Sequence, residues 1–569
     1  MNTLVIVLIA VVVLGAGYVF YGRHLAKKWG IDPKAETPAV KYNDGKDYVP
    51  TNGWTVFSHQ FSSIAGAGPV TGAIQAAVFG WLPVLLWILI GGVFFGAVTD
   101  FGALYASVKN QGKSMGMLIE KYIGKTGRKL FLLFCWLFSL LIIAVFADMV
   151  SGTFNAYDDV TGKLAANASV NGSAGMVSIM FMVFAVIFGL IQKKFNFSGW
   201  KEAVLGIVFI VASFAVGMQF PLEFNKTTWS YVVFVYIFFA AILPIWLMKQ
   251  PRDYMTTIMF VCMIVGAALG LVIGHPTMNL PVFTGFKNEQ LGTMFPILFV
   301  TVACGAVSGF HSLVSSGTSS KTIANEKDML KVGYGAMILE SVLAVLALCV
   351  AGAAAKNGVP AEGTPFQIFS SGVAGFFEKM GLSVHLSTVF MTMCVSALAL
   401  TTLDAVARIG RMCFQEFFSV DDMKHAKPWR KVVCNTYFST IVTLLCGFVL
   451  TKIGYQTIWP LFGSANQLLS ALVLITLCVF LKVTGRSNKM LFPPMIIMLC
   501  VTFTALVQRV IGLVKSLAAG TDIFASVIQL VVAVLLIVLA VIIAINSLKS
   551  YIHSKKNSEV EEKTETAEA

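Results

Sequence analysis

The sequence predicts an all-α polytopic membrane protein with about fifteen transmembrane helices, and both its composition and its charge pattern indicate this fold class. Of the 569 residues, 57% are hydrophobic and only 12% are charged, and the mean hydropathy is +0.80. Soluble globular proteins have about a quarter of their residues charged, whereas a transmembrane helix needs ~20 mostly apolar residues. The composition therefore excludes a soluble multidomain enzyme, a disordered regulator and a fibrous protein.

Apolar segments follow one another along the chain. The first, at 1–21, has no basic segment before it and no small-residue cleavage site, so we expect a membrane helix and not a signal peptide. Fourteen further apolar runs cover residues 54–79, 82–107, 128–150, 175–192, 202–219, 229–248, 254–274, 292–316, 331–355, 384–409, 431–451, 457–483, 490–514 and 522–548. A short segment at 363–377 is too weakly apolar to assign, and both a re-entrant and an interfacial placement remain open.

Lysine and arginine are concentrated in alternate loops between these segments. The basic loops lie at 23–28, 109–129, 193–201, 249–252, 321–327, 411–431 and 486–489. Because basic residues accumulate on the cytoplasmic side of membrane proteins, the alternation predicts an external N-terminus and a cytoplasmic C-terminus. The net charge of +13 is then a signal of topology, and no nucleic-acid partner is expected. The tail at 549–569 is predicted to be disordered and cytoplasmic.

Motifs of an enzyme or of a nucleotide-driven pump are missing from the sequence. A P-loop needs a glycine five residues before its Gly-Lys-Ser/Thr, and segments 112–114 and 124–126 have Ser107 and Ile119 at that position. The ten cysteines include no CxxC pair. We therefore expect no enzymatic activity and no cofactor or bound metal, only a small-molecule substrate, the lipid bilayer and a coupling proton or sodium ion. The sequence does not indicate an oligomeric state.

The second span contains a run of residues that weakens a helix. Glycines destabilise a helix, and proline removes a hydrogen bond and clashes with the preceding turn. A break in mid-span would expose backbone groups, which membranes tolerate only inside protein or along a cavity, and such breaks form the substrate sites of secondary transporters. The residues predicted to bind substrate here are Ser63, Ala65, Gly66, Ala67, Gly68 and Pro69. A simple packing kink is the alternative.

The seventh span contains a second candidate break at Pro244. A lone proline equally fits a simple kink. This span begins five spans after the first broken helix, so it crosses the membrane in the opposite sense. That arrangement is the one expected of a five-plus-five inverted repeat.

The ninth span carries a polar stripe. Cys304, Ser308, His311, Ser312 and Ser315 recur at steps of three and four residues, which places them on one helix face. Polar residues inside a membrane point inward, toward partners or water. The stripe therefore predicts an ion or proton site, although hydroxyls that bond back to their own helix would give a packing role.

Five ionisable residues fall at a related depth, in the inner part of their spans. They are His59, Asp100, His311, Glu340 and Asp404. Ionisable residues at membrane depth are costly and usually functional, so these residues predict a gated polar pathway. For Asp404 the alternative is neutralisation by Arg408 or Arg411. The segment at 458–467 fits either another break or helix packing.

At these residues the chain resembles the carbon starvation protein A family. The matching blocks are residues 59–100, 243–254 (LPIWLMKQPRDY), 303–318 (ACGAVSGFHSLVSSGT), 401–408 (TTLDAVAR) and 458–467 (IWPLFGSANQ), so the resemblance spans roughly 54–480. It implies a bacterial inner-membrane transporter of short peptides or pyruvate, made during carbon starvation. It also implies a leucine-transporter-like fold, in which the first and eighth core helices make a cation site.

The resemblance implies a division of the chain into five parts. These are an N-terminal helix and loop at 1–53, a first repeat at 54–219, a second repeat at 229–409, accessory helices at 410–548 and the tail at 549–569. The first and eighth core helices are then the spans that contain 66–69 and 308–316.

The leading functional prediction is a proton- or cation-coupled symporter for a small nutrient that bears a carboxylate. Its carboxylate would face the amides freed at 65–69, with Pro244 closing the site and Phe310 as a wall. The side chains predicted to hold a cation, or to support His311 or His59 as a proton carrier, are Ser308, Ser312, Ser315 and Ser316. Two alternatives are a membrane nutrient sensor and a metalloprotein with His59, His311 and Cys304 as ligands.

Overall fold

The computed structural model describes residues 2–44, 48–158, 161–195, 200–244, 247–289, 291–420 and 427–553. Most of the predicted disordered tail, residues 554–569, lies outside the described residues. The first helices are α1 (Thr3–Ala16), α2 (Arg23–Trp29), α3 (Pro38–Lys41), α4 (Gly53–Ile64), α5 (Gly68–Ala76), α6 (Trp81–Gly91), α7 (Ala97–Lys109), α8 (Met115–Ile123) and α9 (Lys125–Thr153).

The middle of the chain contains α10 (Ala168–Phe195), α11 (Trp200–Gln219), α12 (Lys226–Ile242), α13 (Lys249–Gly274), the antiparallel strands β1 (Lys287–Asn288) and β2 (Gly292–Thr293), α14 (Met294–Thr301), α15 (Phe310–Gly317) and α16 (Ala336–Ala354). The last helices are α17 (Pro365–Lys379), α18 (Val384–Phe418), α19 (Pro428–Val433), α20 (Thr436–Thr451), α21 (Tyr455–Val483), α22 (Phe492–Ala518) and α23 (Ile523–His553). Three π-helical turns, Gly17–Gly22, Gly92–Gly96 and Leu330–Gly335, join α1 to α2, join α6 to α7, and precede α16.

The prediction of an all-α membrane protein is confirmed. Among the described residues, eleven helical segments are long and apolar enough to cross a membrane. The apolar helices α12 and α20 are shorter, with 17 and 16 residues, and the pairs α4/α5 and α14/α15 are half-helices. The chain is therefore a multi-pass membrane protein, while the count of about fifteen spans stays a prediction.

The predicted break in the second span is present. Helix α4 ends at Ile64, Ala65 is non-helical with φ −72° and ψ 62°, and α5 starts at Gly68 with Pro69 in its first turn. Proline is tolerated at this position because the first N–H groups of a helix have no partner within the helix. The run of small residues thus ends one half-helix and begins another.

The expectation of a second break at Pro244 is wrong. Helix α12 is continuous to Ile242, Leu243 is extended, and Pro244 is exposed in the connection to α13. A residue that precedes proline disfavours the helical region, so Pro244 terminates α12. The connecting residues 245–246 lie outside the described residues.

The second break lies in the ninth span, which the sequence analysis treated as one helix. Residues 302–309 separate α14 from α15 and are not helical. Cys304 and Ser308 are therefore not on a common helix face with His311, Ser312 and Ser315. Glycines at 305 and 309, together with Ser308, were the signal for this break.

Two further segments left open by the sequence are regular helices. The weakly apolar segment at 363–377 is α17, which begins with a capping box between Thr364 and Gln367 and packs against α18. The segment at 458–467 is continuous within α21, although Pro460 lies inside that helix.

The predicted basic loops at 23–28, 109–129, 321–327 and 486–489 meet, with the segments next to them, at one end of the molecule. The amide of Thr51 donates to the carbonyl of Thr322 at 2.9 Å, and Lys109 Nζ lies 2.6 Å from Glu326 Oε1. The indole of Trp29 donates to the carbonyl of Ser487 at 3.2 Å. These contacts join regions far apart in sequence, as loops on one side of a membrane require.

Candidate transport site

The two broken helices run in opposite directions and contact each other at their breaks. The start of α4 adjoins the end of α15 through Thr51 and Thr322, while the hydroxyl of Thr284, before α14, donates to the carbonyl of Val78, after α5, at 2.8 Å. At the breaks, a Cβ added to Gly68 would lie 2.4 Å from Cys304 Sγ. Only glycine permits this approach.

The first break also contacts α18. A Cβ added to Gly66 would lie 2.4 Å from Thr402 Oγ1, and that hydroxyl donates to its own helix at the carbonyl of Leu398, 3.1 Å away. Ala65, Gly66, Ala67, Gly68 and Pro69 are all buried, and Ser63 is half-buried. The predicted substrate residues therefore lie inside the protein, where irregular backbone is tolerated.

Helix α21 supplies hydrogen bonds to the second break. Asn466 Oδ1 accepts from the amide of Phe310 at 3.1 Å, and the Asn466 carbonyl accepts from the amide of Gly309 at 3.0 Å. The side-chain nitrogen of Asn466, Nδ2, lies 3.1 Å from Ser308 Oγ and 3.6 Å from Cys304 Sγ. Asn466 thus satisfies backbone groups that the break removes from helical bonding.

Two more residues of α21 serve the end of α14. Trp459 Nε1 donates to the carbonyl of Thr301 at 3.2 Å, and Gln467 Nε2 donates to the carbonyl of Phe299 at 2.6 Å. These carbonyls belong to the last turn of a helix, which has no partner within the helix. The sequence analysis did not assign these roles, and the polar pair Asn466 and Gln467 within an apolar span was the available signal.

His311 lies between two buried carboxyl groups. Its Nδ1 lies 2.9 Å from Asp100 Oδ2 and its Nε2 lies 3.2 Å from Glu340 Oε2, and all three side chains have no solvent exposure. Helices α7, α15 and α16 carry the three residues. In the part of the chain that the structure describes, no lysine or arginine forms an ion pair with this group, which we call the His311 cluster.

The two carboxyl groups of the cluster compete for the hydrogens of the imidazole. Neutral imidazole has one N–H and serves one carboxylate, whereas imidazolium donates from both nitrogens. Two ionised carboxylates beside a neutral imidazole would leave two uncompensated buried negative charges, and uncompensated buried charge is strongly unfavourable.

The predicted serines have separate partners. Ser312 Oγ donates to the carbonyl of Gly309 at 2.6 Å, and Ser316 Oγ donates to the carbonyl of Ser312 at 2.7 Å while accepting from the amide of Met115 at 3.1 Å. Ser315 Oγ accepts from Gln60 Nε2 at 2.8 Å. Ser312 and Ser316 thus bond back to their own helix, which was the alternative reading of the stripe.

Gln60 was not predicted as a site residue. Its Oε1 accepts from the hydroxyl of Ser319 at 2.6 Å, in addition to the bond to Ser315. The residue is fully buried and connects α4, before the first break, with α15, after the second break. His59 is next to Gln60 and half-buried, but the two ring nitrogens of His311 face Asp100 and Glu340.

Asp404 belongs to a different polar group. It forms a buried ion pair with Arg252 of α13 and accepts a hydrogen bond from the hydroxyl of Tyr236 at 2.8 Å. Arg252, which the sequence placed in a basic loop, also donates to Thr401. Arg408 instead donates to the carbonyls of Ala240 and Leu243 at the end of α12, so Arg252 is the ion-pair partner of Asp404.

The remaining predicted residues are Phe310 and Pro244. Phe310 is the first residue of α15 and is 7% exposed, so it lies at the second break. Pro244 lies in the exposed connection described above. Among the described residues, no group of three or more His, Cys, Asp or Glu side chains is arranged to hold a metal ion.

Comparisons with known proteins give a consistent result. A family model described as carbon starvation protein CstA matches residues 2–361 and 350–505. The pyruvate/proton symporter BtsT of Escherichia coli (strain K12) is 31% identical, covering 88% of this chain and 81% of that protein. The peptide transporter CstA of Bacillus subtilis (strain 168) is 30% identical, covering 86% of this chain and 87% of that protein.

A solved structure is similar at lower identity. The crystal structure of the Eremococcus coleocola manganese transporter in complex with an aromatic bis-isothiourea substituted compound is 12% identical to this chain. It covers 90% of this chain and 99% of that chain with a TM-score of 0.45. That overlap is too low to transfer any property of the site.

Proposed function

Because this chain belongs to the carbon starvation protein CstA family and is a secondary transporter, we propose that it takes up a short peptide or pyruvate together with protons. The names of the relatives disfavour the alternatives of a nutrient sensor and a metalloprotein. The observation that carries the proposal is the position of His311. It is the second residue of α15, the half-helix that starts at the second break. A change in its protonation would therefore occur next to the proposed substrate site.

The substrate carboxylate binds where the half-helices begin. Helices α5 and α15 both start at a break, with Gly68 and Phe310 as their first residues. The N-terminal end of a helix carries a partial positive charge, which favours an anion. At α15 only this charge contributes, because the amides of Gly309 and Phe310 already donate to Asn466. Residues 65–69 supply one wall of this site and Phe310 another. A role for Pro244, which is exposed in the connection after α12, in closing the site stays a prediction.

Protons couple through the His311 cluster. Protonation of His311 lets both ring nitrogens donate, to Asp100 and to Glu340, and so tightens the contact of α15 with α7 and α16. Loss of the proton leaves one of these contacts without a hydrogen. A change in proton number thereby alters the packing of the half-helix that borders the substrate. The hydrogen bond from Gln60 to Ser315 connects this change in the packing of α15 to α4.

The contacts of the helices support a revised division into repeats. The predicted second repeat at 229–409 stays a prediction, but the paired breaks favour a second repeat that starts at α14. In this division α5 packs on α16 as α15 packs on α7, and α9 packs on α18. Helices α10 and α11 then form an insertion. The eighth core helix becomes α18, whose Thr402 faces the first break at Gly66.

Location and orientation follow from the charges. The basic loops that meet at one end support a bacterial inner-membrane protein with a cytoplasmic C-terminus and an external N-terminus. In this orientation the His311 cluster lies on the cytoplasmic side of the breaks, because α15 runs from the break toward the basic end.

Uptake into proteoliposomes tests the proposal. Purified protein is reconstituted, and accumulation of labelled pyruvate and of a labelled dipeptide is measured with proton and sodium gradients imposed separately. We expect accumulation of one substrate with a proton gradient and none with a sodium gradient alone. Accumulation that follows sodium alone would overturn proton coupling, and absence of accumulation with every gradient would overturn symport of these substrates.

A further inference from the structure

A large cavity opens at the end of the molecule opposite the basic loops. Its volume is about 810 Å³, and it lies between α5, the start of α14, α17, α21 and α22. Gln75 of α5, Pro365 of α17 and Ser464 of α21 are among its lining residues. Helices α5 and α14 are the two half-helices on this side of the breaks, and Ser464 is two residues before Asn466. The cavity therefore borders the same elements as the proposed transport site, from the other side of the membrane.

Among the described residues that line the cavity, Arg509 of α22 is the only charged one. Its Nη2 donates to the carbonyl of Thr457 at 2.8 Å and also to the side-chain oxygen of Gln529. Its Nε is buried and has no hydrogen-bond partner. Across the described residues, no carboxylate forms an ion pair with Arg509, so only neutral oxygens hold its guanidinium.

An arginine inside a transmembrane helix without a carboxylate is unusual. Charged side chains at membrane depth are rare and normally pair with each other or line a water-filled pathway. Arginine presents a planar set of N–H donors that matches a carboxylate, often with two parallel bonds. A purely structural link between α21, α22 and α23 would need only a neutral donor. The positive charge therefore indicates an anionic ligand.

The size and lining of the cavity suit a small organic anion. Ligand pockets are typically ~300–1,000 Å³ with a mostly apolar lining and few polar groups. Here Ile74 and Pro365 are buried apolar lining residues, and Gln75 and Gln508 supply neutral hydrogen-bond donors. None of the lining residues that the structure describes carries a negative charge that would repel a carboxylate.

The geometry points to an external access site in which Arg509 binds the carboxylate of an organic acid before it reaches the breaks. This inference rests on the proposed function for the identity of the acid, but the anion site itself does not require transport. The neutral contacts at Thr457 and Gln529 hold the guanidinium in place. A carboxylate that arrives from outside then supplies the charge partner that the protein lacks.

Charge-selective labelling tests this site without relying on transport. Gln456, exposed at the cavity, is changed to Cys. The reaction of the new thiol is followed with two thiosulfonate reagents, one that carries an anionic sulfonate group and one that carries a cationic trimethylammonium group. Rates are normalised to those with a small free thiol, and the reaction of the parent cysteines is subtracted. We expect the normalised anionic rate to exceed the cationic rate by about fivefold, as a positive charge within several ångströms requires. Pyruvate protects the thiol and neutral methyl pyruvate does not.

Variants on the same helix assign the effect to Arg509. Gln456→Cys with R509Q loses the anion preference and the protection by pyruvate, whereas R509K keeps the preference because it keeps the charge. The matched control is K515Q, which removes an exposed charge of α22 outside the cavity and changes neither result. Equal normalised rates in Gln456→Cys itself would overturn the inference, and this result does not depend on how R509Q folds.

The two proposals fail in different ways. If the anion preference and the protection are present but no gradient drives uptake, the access site stands and symport fails. If uptake is intact while the labelling shows no anion preference, symport stands and the access site fails. In transport assays of a competent protein, R509Q is expected to raise the KM for pyruvate about tenfold with kcat within about twofold, since it removes binding made before the transport step.

Discussion

His311 and its two carboxylates are the residues on which the proposed proton coupling depends. The ring is held between Asp100 and Glu340 with no solvent exposure, and the described part of the chain offers this group no balancing cation. In the proposed mechanism, a proton supplies the charge balance that the cluster lacks. The same residues were predicted from their depth in the membrane, while their mutual contact was not.

Glu340→Gln is expected to uncouple transport from protons. The amide cannot ionise, so Glu340 could no longer exchange a proton within the cluster. We expect proton-driven accumulation of pyruvate to fall to near the level without a gradient, because intramembrane carboxyl groups serve as proton relays, while exchange of internal for external pyruvate continues.

Measurements of gradient-driven uptake and of counterflow in proteoliposomes check this prediction. Glu202→Gln on α11 is the matched control, because it makes the same change outside the cluster. Undiminished accumulation in Glu340→Gln would remove Glu340 from coupling. Loss of exchange together with accumulation would indicate a structural role instead.

Asn466→Ala is expected to destabilise the second break. The substitution leaves the amide of Phe310 and the hydroxyl of Ser308 without their partner. Buried donors left unsatisfied cost about 1–3 kcal/mol each, so the variant should unfold at a clearly lower temperature in detergent. Gln456→Ala, on the exposed surface of the same helix, should unfold at nearly the parent temperature. Equal unfolding temperatures for parent and Asn466→Ala would contradict this role.

At the scale of elements, the contact between the two breaks depends on the absence of a side chain. Gly68→Ala would place a Cβ 2.4 Å from Cys304 Sγ and 2.7 Å from its Cβ. We expect this variant to lose most uptake because one break must move away from the other. Cys304→Gly removes both atoms and should restore uptake in the double variant. Gly512→Ala on α22, with nothing within 4 Å, is the control. Failure of the second substitution to restore uptake would argue against this contact as the cause.

The buried ion pair between Arg252 and Asp404 joins α13 to α18. Asp404→Asn leaves the guanidinium buried without its counter-charge, which costs about 3–5 kcal/mol in such pairs. Replacing both residues, as in Arg252→Met with Asp404→Leu, removes the uncompensated charge and should recover most of that stability. Thermal unfolding of the single and double variants checks the expectation. A double variant as unstable as Asp404→Asn would show that packing, and not charge, dominates at this site.

At the scale of the whole molecule, the basic loops predict where each terminus lies. With an external N-terminus and a cytoplasmic C-terminus, Asn2→Cys should react in intact cells with a membrane-impermeant maleimide. A green fluorescent protein fused after Ala569 should be fluorescent, because it folds in the cytoplasm. Labelling of Asn2→Cys only after the cells are opened would reverse the orientation, and with it the side on which the Arg509 cavity opens.

The sequence by itself determined the fold class, the first break and the family. Apolar runs long enough to span a bilayer, and a cluster of glycines and a proline at 65–69, act through local backbone physics and membrane thickness, so they can be read from order along the chain. The depth of His311, Asp100 and Glu340 could be read in the same way. The roles of these residues in transport remain predictions.

Only the tertiary structure decided which of these features meet. A break depends on partners that replace the lost hydrogen bonds, so the second one lies at 302–309, where Asn466, Trp459 and Gln467 of a distant helix supply them, and not at Pro244. The partner of Asp404 is Arg252, more than a hundred residues away in sequence, for the same reason. Periodicity gives the face of a helix, but the groups that compensate a buried charge or a free amide come from packing between helices.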